Sequence, residues 1–124
     1  MASAIAERLQ WVALGGVSRT VLAMTFRRVS RDSGAGPTLR DLVQGFDAGL
    51  DLIDLTQIDA NANVNANQAF TWIGTAAFSN LAGQLRLITG ANSVLQGDVT
   101  GDGVADFEVQ FNAIATVSVN DILL

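Results

Sequence analysis

A glycine- and aspartate-rich stretch, Gly97–Phe107, constrains the fold of this chain more than any other segment. It reads G-D-V-T-G-D-G-V-A-D-F, with an aspartate at every fourth position from Asp98 onwards. Its glycines permit the positive φ angles that a tightly curled backbone requires. Residues 107–112 read F-E-V-Q-F-N and alternate apolar with polar side chains, which predicts a half-buried strand. The stretch therefore predicts a tight acidic loop that leads directly into a β-strand.

The spacing of the aspartates suits a calcium site. Ca²⁺ takes about six to eight oxygen ligands from carboxylates, backbone carbonyls and hydroxyls. The pattern D-x-T-x-D-G-x-x-D matches the first part of an EF-hand-like loop, but Val109 stands where such a loop has its bidentate glutamate. The same residues suit a plain acidic hairpin turn, and the sequence leaves both readings open. The candidate ligands are the side chains of Asp98, Thr100, Asp102 and Asp106 and the carbonyl of Val104.

Short strands are predicted on both sides of this loop. They cover residues 69–73, 84–88, 93–97 and 107–114, and the strands within residues 68–114 are predicted to be antiparallel. Residues 98–106 connect the last two strands. The predicted core consists of the large apolar residues that alternate along these strands and of one in the turn 74–79. These are Phe70, Trp72, Phe78, Leu85, Leu87, Phe107, Val109 and Phe111.

Residues 40–67 contain an apolar run between Leu50 and Ile58 that is punctuated by aspartates. Short apolar strands separated by turns are predicted here. The aspartates could bind calcium, or they could be solvated charges that keep an apolar sheet edge from pairing with other chains; the second interpretation is preferred. The four aspartates are Asp47, Asp51, Asp54 and Asp59, and a polar loop follows with Asn61, Asn63, Asn65 and Asn67.

The chain divides into a short first segment and a single larger β domain. Ile5, Leu9 and Val12 have helical spacing, so a short helix is predicted over Ala2–Leu14, with a strand over Val17–Val29. Residues 30–38 gather Gly, Ser and the only Pro, which predicts a linker. The predicted domains are therefore 1–38, poorly assigned, and 39–124.

Composition argues against catalysis. The chain has no His and no Cys, so the commonest general base, thiol nucleophile and zinc ligands are missing. We therefore expect a protein that is not an enzyme. Residues 41–124 hold ten of the twelve acids and one Arg, and this acidic character favours Ca²⁺ and disfavours nucleic acid. No apolar run approaches the roughly 20 residues of a membrane span, and no cleaved signal peptide is predicted.

Five segments occur in the same order in a known family. Over about two-thirds of its length the chain resembles the C-terminal region of serralysin-type secreted metalloproteases and related RTX proteins. The family's H-E-x-x-H zinc helix and its G-G-x-G-x-D repeats are both missing. The matching segments are Arg40–Asn61, Gln68–Ser79, Ala82–Arg86, Gln96–Val109 and Asp121–Leu124.

The resemblance implies a mainly β, antiparallel sandwich-like module of the kind that caps a calcium β-roll. It implies a non-catalytic part of a secreted, extracellular protein that folds with Ca²⁺ and is exported by a type I (ABC) secretion apparatus without a cleaved signal. An upstream passenger or protease domain is a further implied partner. Two alternatives remain open: a fragment of a secreted zinc metalloprotease, and a structural or adhesive extracellular β module.

The last four residues, Asp121, Ile122, Leu123 and Leu124, resemble the terminal motif of serralysin-type secretion signals. An acidic residue followed by three apolar ones could enter a transporter groove with the aspartate fixing its register. Alternatively, residues 116–124 form a final strand that covers the core. Both hold if the end detaches before export.

Overall fold

The computed structural model describes the backbone of residues 5–14, 17–25 and 40–124, and the side chains of residues 40 and 42–124. Within these ranges the protein is mainly β and sandwich-like, as predicted, and its only helical segment is a 3₁₀ turn, Val119–Asp121. The strands are β1 Ile5–Leu14, β2 Val17–Thr25, β3 Asp41–Val43, β4 Leu52–Asp54, β5 Thr71–Trp72, β6 Gln84–Ile88, β7 Ser93–Asp98, β8 Phe107–Phe111 and β9 Ile122–Leu123.

The strands form two mixed sheets. One has four strands in the order β1-β2-β4-β9, and the other has five in the order β3-β8-β7-β6-β5. The pairs β1/β2, β6/β7 and β7/β8 are antiparallel. The remaining pairs are parallel, since β3, β4, β5 and β9 each reach their neighbour after a long connection rather than a hairpin. The prediction of antiparallel sheets is therefore wrong for these pairs, including β5 with β6 within residues 68–114.

The core lies where β4 and β9 face the five-stranded sheet. Ile53 of β4 and Ile122 of β9 belong to the same buried cluster as the inward residues of β6, β7 and β8. Phe111 packs against Phe46 with ring centroids 5.0 Å apart, and Phe107 packs edge-on against Phe70 at 5.7 Å. Every second residue of β8 faces this cluster, as the alternation in the sequence predicts.

Six of the eight predicted core residues are buried in this cluster, and two are not. Trp72 lies at the edge of the five-stranded sheet and is only partly buried against the cluster. Phe78 is half-buried outside it, and the guanidinium of Arg86 lies 5.2 Å from its ring centroid. Phe78 therefore packs beneath a cation on the outer face of the sheet rather than in the core.

The predicted acidic hairpin is confirmed. β7 and β8 pair antiparallel from Ser93↔Phe111 to Gly97↔Phe107, and the acidic loop connects them. β8 ends at Phe111, three residues earlier than predicted. Ala113 has a φ of 61° and its N–H donates to the side chain of Asn92, so the backbone leaves the extended conformation there.

The predicted helix over residues 2–14 is wrong, because Ile5–Leu14 is strand β1. β1 pairs with β2 from Ile5↔Thr25 to Leu14↔Val17, so the two form a long hairpin. The dipeptide between them in the sequence is Gly15-Gly16, and a pair of glycines favours a two-residue hairpin connection.

The predicted linker, residues 30–38, lies outside the described residues, so the division at residue 38 stays a prediction. β2 nevertheless pairs with β4 over Val21–Ala23, which joins the described part of the first segment to the sheet of the second. Among the described residues no helix has the length and apolar character needed to cross a bilayer.

Candidate functional site

Asp98 is the last residue of β7 and the most buried ligand candidate, with none of its surface exposed. One carboxylate oxygen, Oδ1, accepts the N–H of Gly101 at 2.7 Å, and the other, Oδ2, accepts the N–H of Gly103 at 2.9 Å. The loop therefore wraps around this carboxylate, which satisfies backbone donors that the turn leaves without a carbonyl partner.

Asp106 supports the loop from its other end. Its Oδ2 accepts the N–H groups of Val99 at 2.7 Å and of Thr100 at 3.0 Å. The Thr100 hydroxyl lies 3.2 Å from Asp106 Oδ2 and 3.4 Å from Asp98 Oδ1. The structure therefore brings together three of the predicted ligand side chains, with the Thr100 hydroxyl between two carboxylates.

Asp102 and Val104 do not share these contacts. Asp102 is exposed, and its Oδ1 accepts the N–H of Val104 at 3.0 Å in a local turn. The side chain of Val104 is 62% exposed. In this conformation the turn at residues 102–104 has its own internal hydrogen bond, and the assignment of both residues as ligands stays a prediction.

Two neighbouring loops hold the acidic loop in place. Ala62 N–H donates to the Val99 carbonyl at 2.9 Å, and Gly83 N–H donates to the Asp98 carbonyl at 2.7 Å. Gly101 has a φ of 81°, and a Cβ there would lie 2.8 Å from the backbone nitrogen of Ala82. Glycine is therefore required at this position both for its backbone conformation and for the close approach of the second loop.

No basic side chain neutralises the two converging carboxylates within the part of the chain whose side chains are described. The only basic residues there are Arg40 and Arg86. Arg40 donates to Glu108 on the outer face of the five-stranded sheet, with N–O distances of 2.7 and 3.0 Å. Arg86 donates to Gln96 at 2.8 Å on the same face. Asp98 and Asp106 therefore depend on N–H and O–H donors alone.

These contacts fit a calcium ion in part. Two carboxylates and one hydroxyl supply hard oxygen ligands, and Ca²⁺ would need backbone carbonyls or water for the rest of its shell. Within the described residues no three acidic or other metal-binding side chains are close enough to form a ready-made cluster. Asp98, Thr100 and Asp106 are the residues that would hold the ion, and several of their lone pairs already accept backbone hydrogen bonds.

Three of the four aspartates of the 47–59 region accept hydrogen bonds through their carboxylates. Asp51 Oδ2 accepts the N–H of Asp47 at 2.8 Å. Asp54 accepts both the N–H and the hydroxyl of Thr56, at 2.9 and 2.6 Å. Asp59 Oδ1 accepts the N–H groups of Asn61 and Gln68, both at 3.1 Å. Such contacts stabilise turns. Turn stabilisation is a role that was not among the two hypotheses for these aspartates, calcium binding and protection of a sheet edge.

The last four residues dock against the sandwich. Ile122 and Leu123 form β9 beside β4, and Leu123 O accepts the N–H of Leu55 at 2.9 Å. Ile122 is 6% exposed, Leu124 packs against the core, and Leu123 is 39% exposed. The described conformation is thus that of a final strand that helps to cover the core, although the strand is shorter than residues 116–124.

Asp121 has a structural role that sequence reasoning missed. It is 4% exposed; its Oδ1 accepts the N–H of Gly49 at 2.8 Å, and its Oδ2 accepts the N–H of Ser118 at 3.0 Å. The Ser118 side chain in turn accepts the N–H of Asn120, which completes a capping box around the 3₁₀ turn. The S-x-x-D spacing of Ser118 and Asp121 could have indicated this contact.

A second missed feature is a polar row across the outer face of the five-stranded sheet. The row runs from strand to strand between residues in register. Arg86 of β6 donates to Gln96 of β7, and Gln96 donates to Glu108 of β8. Arg40 donates to Glu108 and completes the row. The polar positions that alternate with core residues on three successive strands were the available signal.

Comparison with known proteins assigns no family to the chain: no protein-family model matches it, and no curated protein matches it.

Proposed function

We propose that this chain is a non-catalytic, calcium-binding β module of an exported protein. The observation that carries the proposal is the convergence of Asp98 and Asp106 on the Thr100 hydroxyl. Two carboxylates close together repel each other, and no described basic side chain contacts them. A divalent cation would offset that repulsion and would bind the oxygens that this loop supplies.

The proposed ion would have a structural use. It would link β7, through Asp98, with the residue before β8, Asp106. Because the unfolded chain cannot assemble this arrangement, bound Ca²⁺ would stabilise the folded state by mass action. With few protein ligands, the affinity should lie in the weak range of extracellular modules, about 10⁻⁴–10⁻³ M.

The export part of the proposal rests on the resemblance of the last four residues to a type I secretion signal. We propose that a type I secretion apparatus reads Asp121–Leu124 and that the module acts outside the cell. This role requires β9 to detach from β4, which breaks its two residue pairs and exposes the buried side chain of Ile122.

Calcium binding is expected to raise the unfolding temperature of the protein in a saturable way, while magnesium raises it much less. Thr100→Val should remove most of this response, because it deletes the hydroxyl between the two carboxylates. Thr56→Val is the matched control, since Thr56 likewise donates its hydroxyl to an aspartate in an exposed turn, away from the loop. The unfolding temperatures of the unchanged protein and of both variants are measured by circular dichroism in chelator, in calcium and in magnesium.

Two results would contradict calcium binding at this loop. One is an equal response to both cations in the unchanged protein, and the other is a full calcium response in Thr100→Val. Asp102→Ala is an additional variant, because its one described hydrogen bond is local. If Asp102 is a ligand, its loss lowers the unfolding temperature in calcium and hardly changes it in chelator.

Changing Ile122, Leu123 and Leu124 together to Ser is expected to abolish export of a fused passenger by a type I system. Since Ile122 is buried, the change also destabilises the fold, so the control is Ile58→Ser, which disrupts the core outside the tail. Passenger in the medium is measured by immunoblot, normalised to cell content. Export at the unchanged level in the triple variant, or equal loss in the control, would remove the tail from the proposal.

A further inference from the structure

Asp102 and Gly103 form the only Asp-Gly step in the chain, and the sequence contains no Asn-Gly step. In such a step the backbone nitrogen of the glycine can attack the carboxyl carbon of the aspartate, because glycine has no side chain to hinder the approach. Asp102 is exposed, so solvent reaches its carboxylate and can supply and remove the water and protons that the reaction needs. The sequence therefore makes this step the position of the chain most prone to isomerisation of its backbone.

The fold requires the glycine that makes this step reactive. Gly103 has a φ of 82°, a backbone conformation that residues with a side chain rarely adopt. A Cβ added at Gly103 would also overlap Oδ1 of Asn80 from the neighbouring loop. The acidic loop thus has room only for the residue that leaves the backbone nitrogen open to attack.

The buried carboxylate of Asp98 holds the nitrogen that would attack. Its Oδ2 accepts the N–H of Gly103 at 2.9 Å, while its Oδ1 accepts the N–H of Gly101 at 2.7 Å. Attack requires the nitrogen to lose its proton, and a carboxylate at this distance disfavours the negative charge that develops there. The Asp102 side chain is held as well, since its Oδ1 accepts the N–H of Val104 at 3.0 Å. Both reacting groups are therefore restrained in the folded protein.

We propose that Asp102–Gly103 is a site of spontaneous isomerisation to isoaspartate, and that Asp98 suppresses the reaction in the folded protein. The Gly103 nitrogen forms a bond to Cγ of Asp102, and one carboxyl oxygen leaves as water with the proton of the N–H and a second proton from the carboxyl group or solvent. Water then opens the cyclic imide. Cleavage between the nitrogen and the Asp102 carbonyl carbon gives isoaspartate, and cleavage of the new bond restores aspartate.

Isoaspartate has a structural consequence in this loop. It routes the backbone through Cβ and Cγ of residue 102, which lengthens the chain by one carbon before Gly103. The N–H groups of Gly101 and Gly103 each reach one oxygen of the same Asp98 carboxylate, so the loop depends on the ordinary spacing between them. The modification therefore disturbs the connection between β7 and β8, and isomerised molecules are expected to be less stable than unmodified ones.

The first test follows isomerisation of the full chain at neutral pH in chelator, folded and in guanidinium chloride. Isoaspartate is quantified with a methyltransferase specific for it and located by loss of the cut that an aspartate-directed protease makes between Gly101 and Asp102. The folded protein is expected to react at least about tenfold more slowly, a factor that one hydrogen bond to a charged group accounts for. Asp102→Glu is the control, because its longer side chain would have to close a larger and less favourable ring. Equal rates in the two states, or an undiminished signal in Asp102→Glu, would overturn the proposal.

The second test isolates the role of Asp98. Asp98→Ala frees the N–H of Gly103 and is expected to raise the rate in the folded protein by about tenfold. Asp106→Ala is the matched control, because Asp106 supports the same loop through the N–H groups of Val99 and Thr100 instead. Circular dichroism establishes that both variants are folded. Equal rates in the two variants would show that Asp98 does not restrain the step.

Hydrogen exchange of the Gly103 amide tests the same contact in the unchanged protein, without a substitution that destabilises the fold. The amide is expected to exchange at least about tenfold more slowly than in the unfolded chain, because Asp98 Oδ2 accepts its proton. Exchange at the rate of the unfolded chain would overturn the proposal, whether or not Asp98→Ala folds.

Discussion

Asp98→Ala is expected to lower the free energy of unfolding by about 2–3 kcal/mol even in the absence of calcium. The substitution removes the acceptor for the N–H groups of Gly101 and Gly103. A buried donor left without a partner costs about 1–3 kcal/mol, and both glycines are only half-buried, so water recovers part of the loss. The measurement is urea unfolding in chelator, followed by tryptophan fluorescence.

Asp102→Ala is the matched control for this prediction. Asp102 belongs to the same loop and accepts one local hydrogen bond, but its side chain is exposed, so its loss should cost under about 0.5 kcal/mol. The contrast between the two aspartates is a property of the fold and does not depend on a bound ion. Equal losses in both variants would show that Asp98 does not organise the loop.

Local patterns predicted the parts of the fold that local physics determines. The alternation of residues 107–111 predicted β8, and the Gly/Asp content of residues 98–106 predicted the connection between β7 and β8. Both depend on interactions within a few residues of each other. The loop contacts of Asp98 and Asp106 also lie within one short segment, which is why the spacing of these two residues indicated a common site.

Long-range pairing could not be inferred in the same way. β9 pairs with β4, and Ile53 lies opposite Ile122. β4 has three residues and β9 has two, and nothing in such short segments specifies which strand each one pairs with. The first segment was misinterpreted because Ile5, Leu9 and Val12 also fit helical spacing, whereas the pairing with β2 determines the conformation. Phe78 was assigned to the core from its size alone, without the neighbouring Arg86 that covers it.

Gly97→Ala is expected to destabilise the protein by about 1–3 kcal/mol or more through overpacking of the core. Gly97 lies on β7 opposite Phe107, and an added Cβ would lie 2.2 Å from Cε1 and 2.5 Å from Cζ of the Phe107 ring. The ring is fully buried, so it has no free space into which to move. Gly90→Ala is the matched control, because a Cβ at Gly90 meets nothing within 4 Å.

The cause of this loss can be tested by replacing Phe107, whose ring occupies the space that a Cβ at Gly97 would need, with a smaller residue. Phe107→Leu removes the two ring atoms nearest to the added Cβ and should itself destabilise the core through lost packing. In the double variant the two changes should compensate, so that its loss is smaller than the sum of the single losses by about 1 kcal/mol or more. Urea unfolding of the three variants and the unchanged protein measures this coupling. Strictly additive losses would show that Gly97 is required for its backbone alone, and that the contact with Phe107 does not explain why β7 has a glycine at this position.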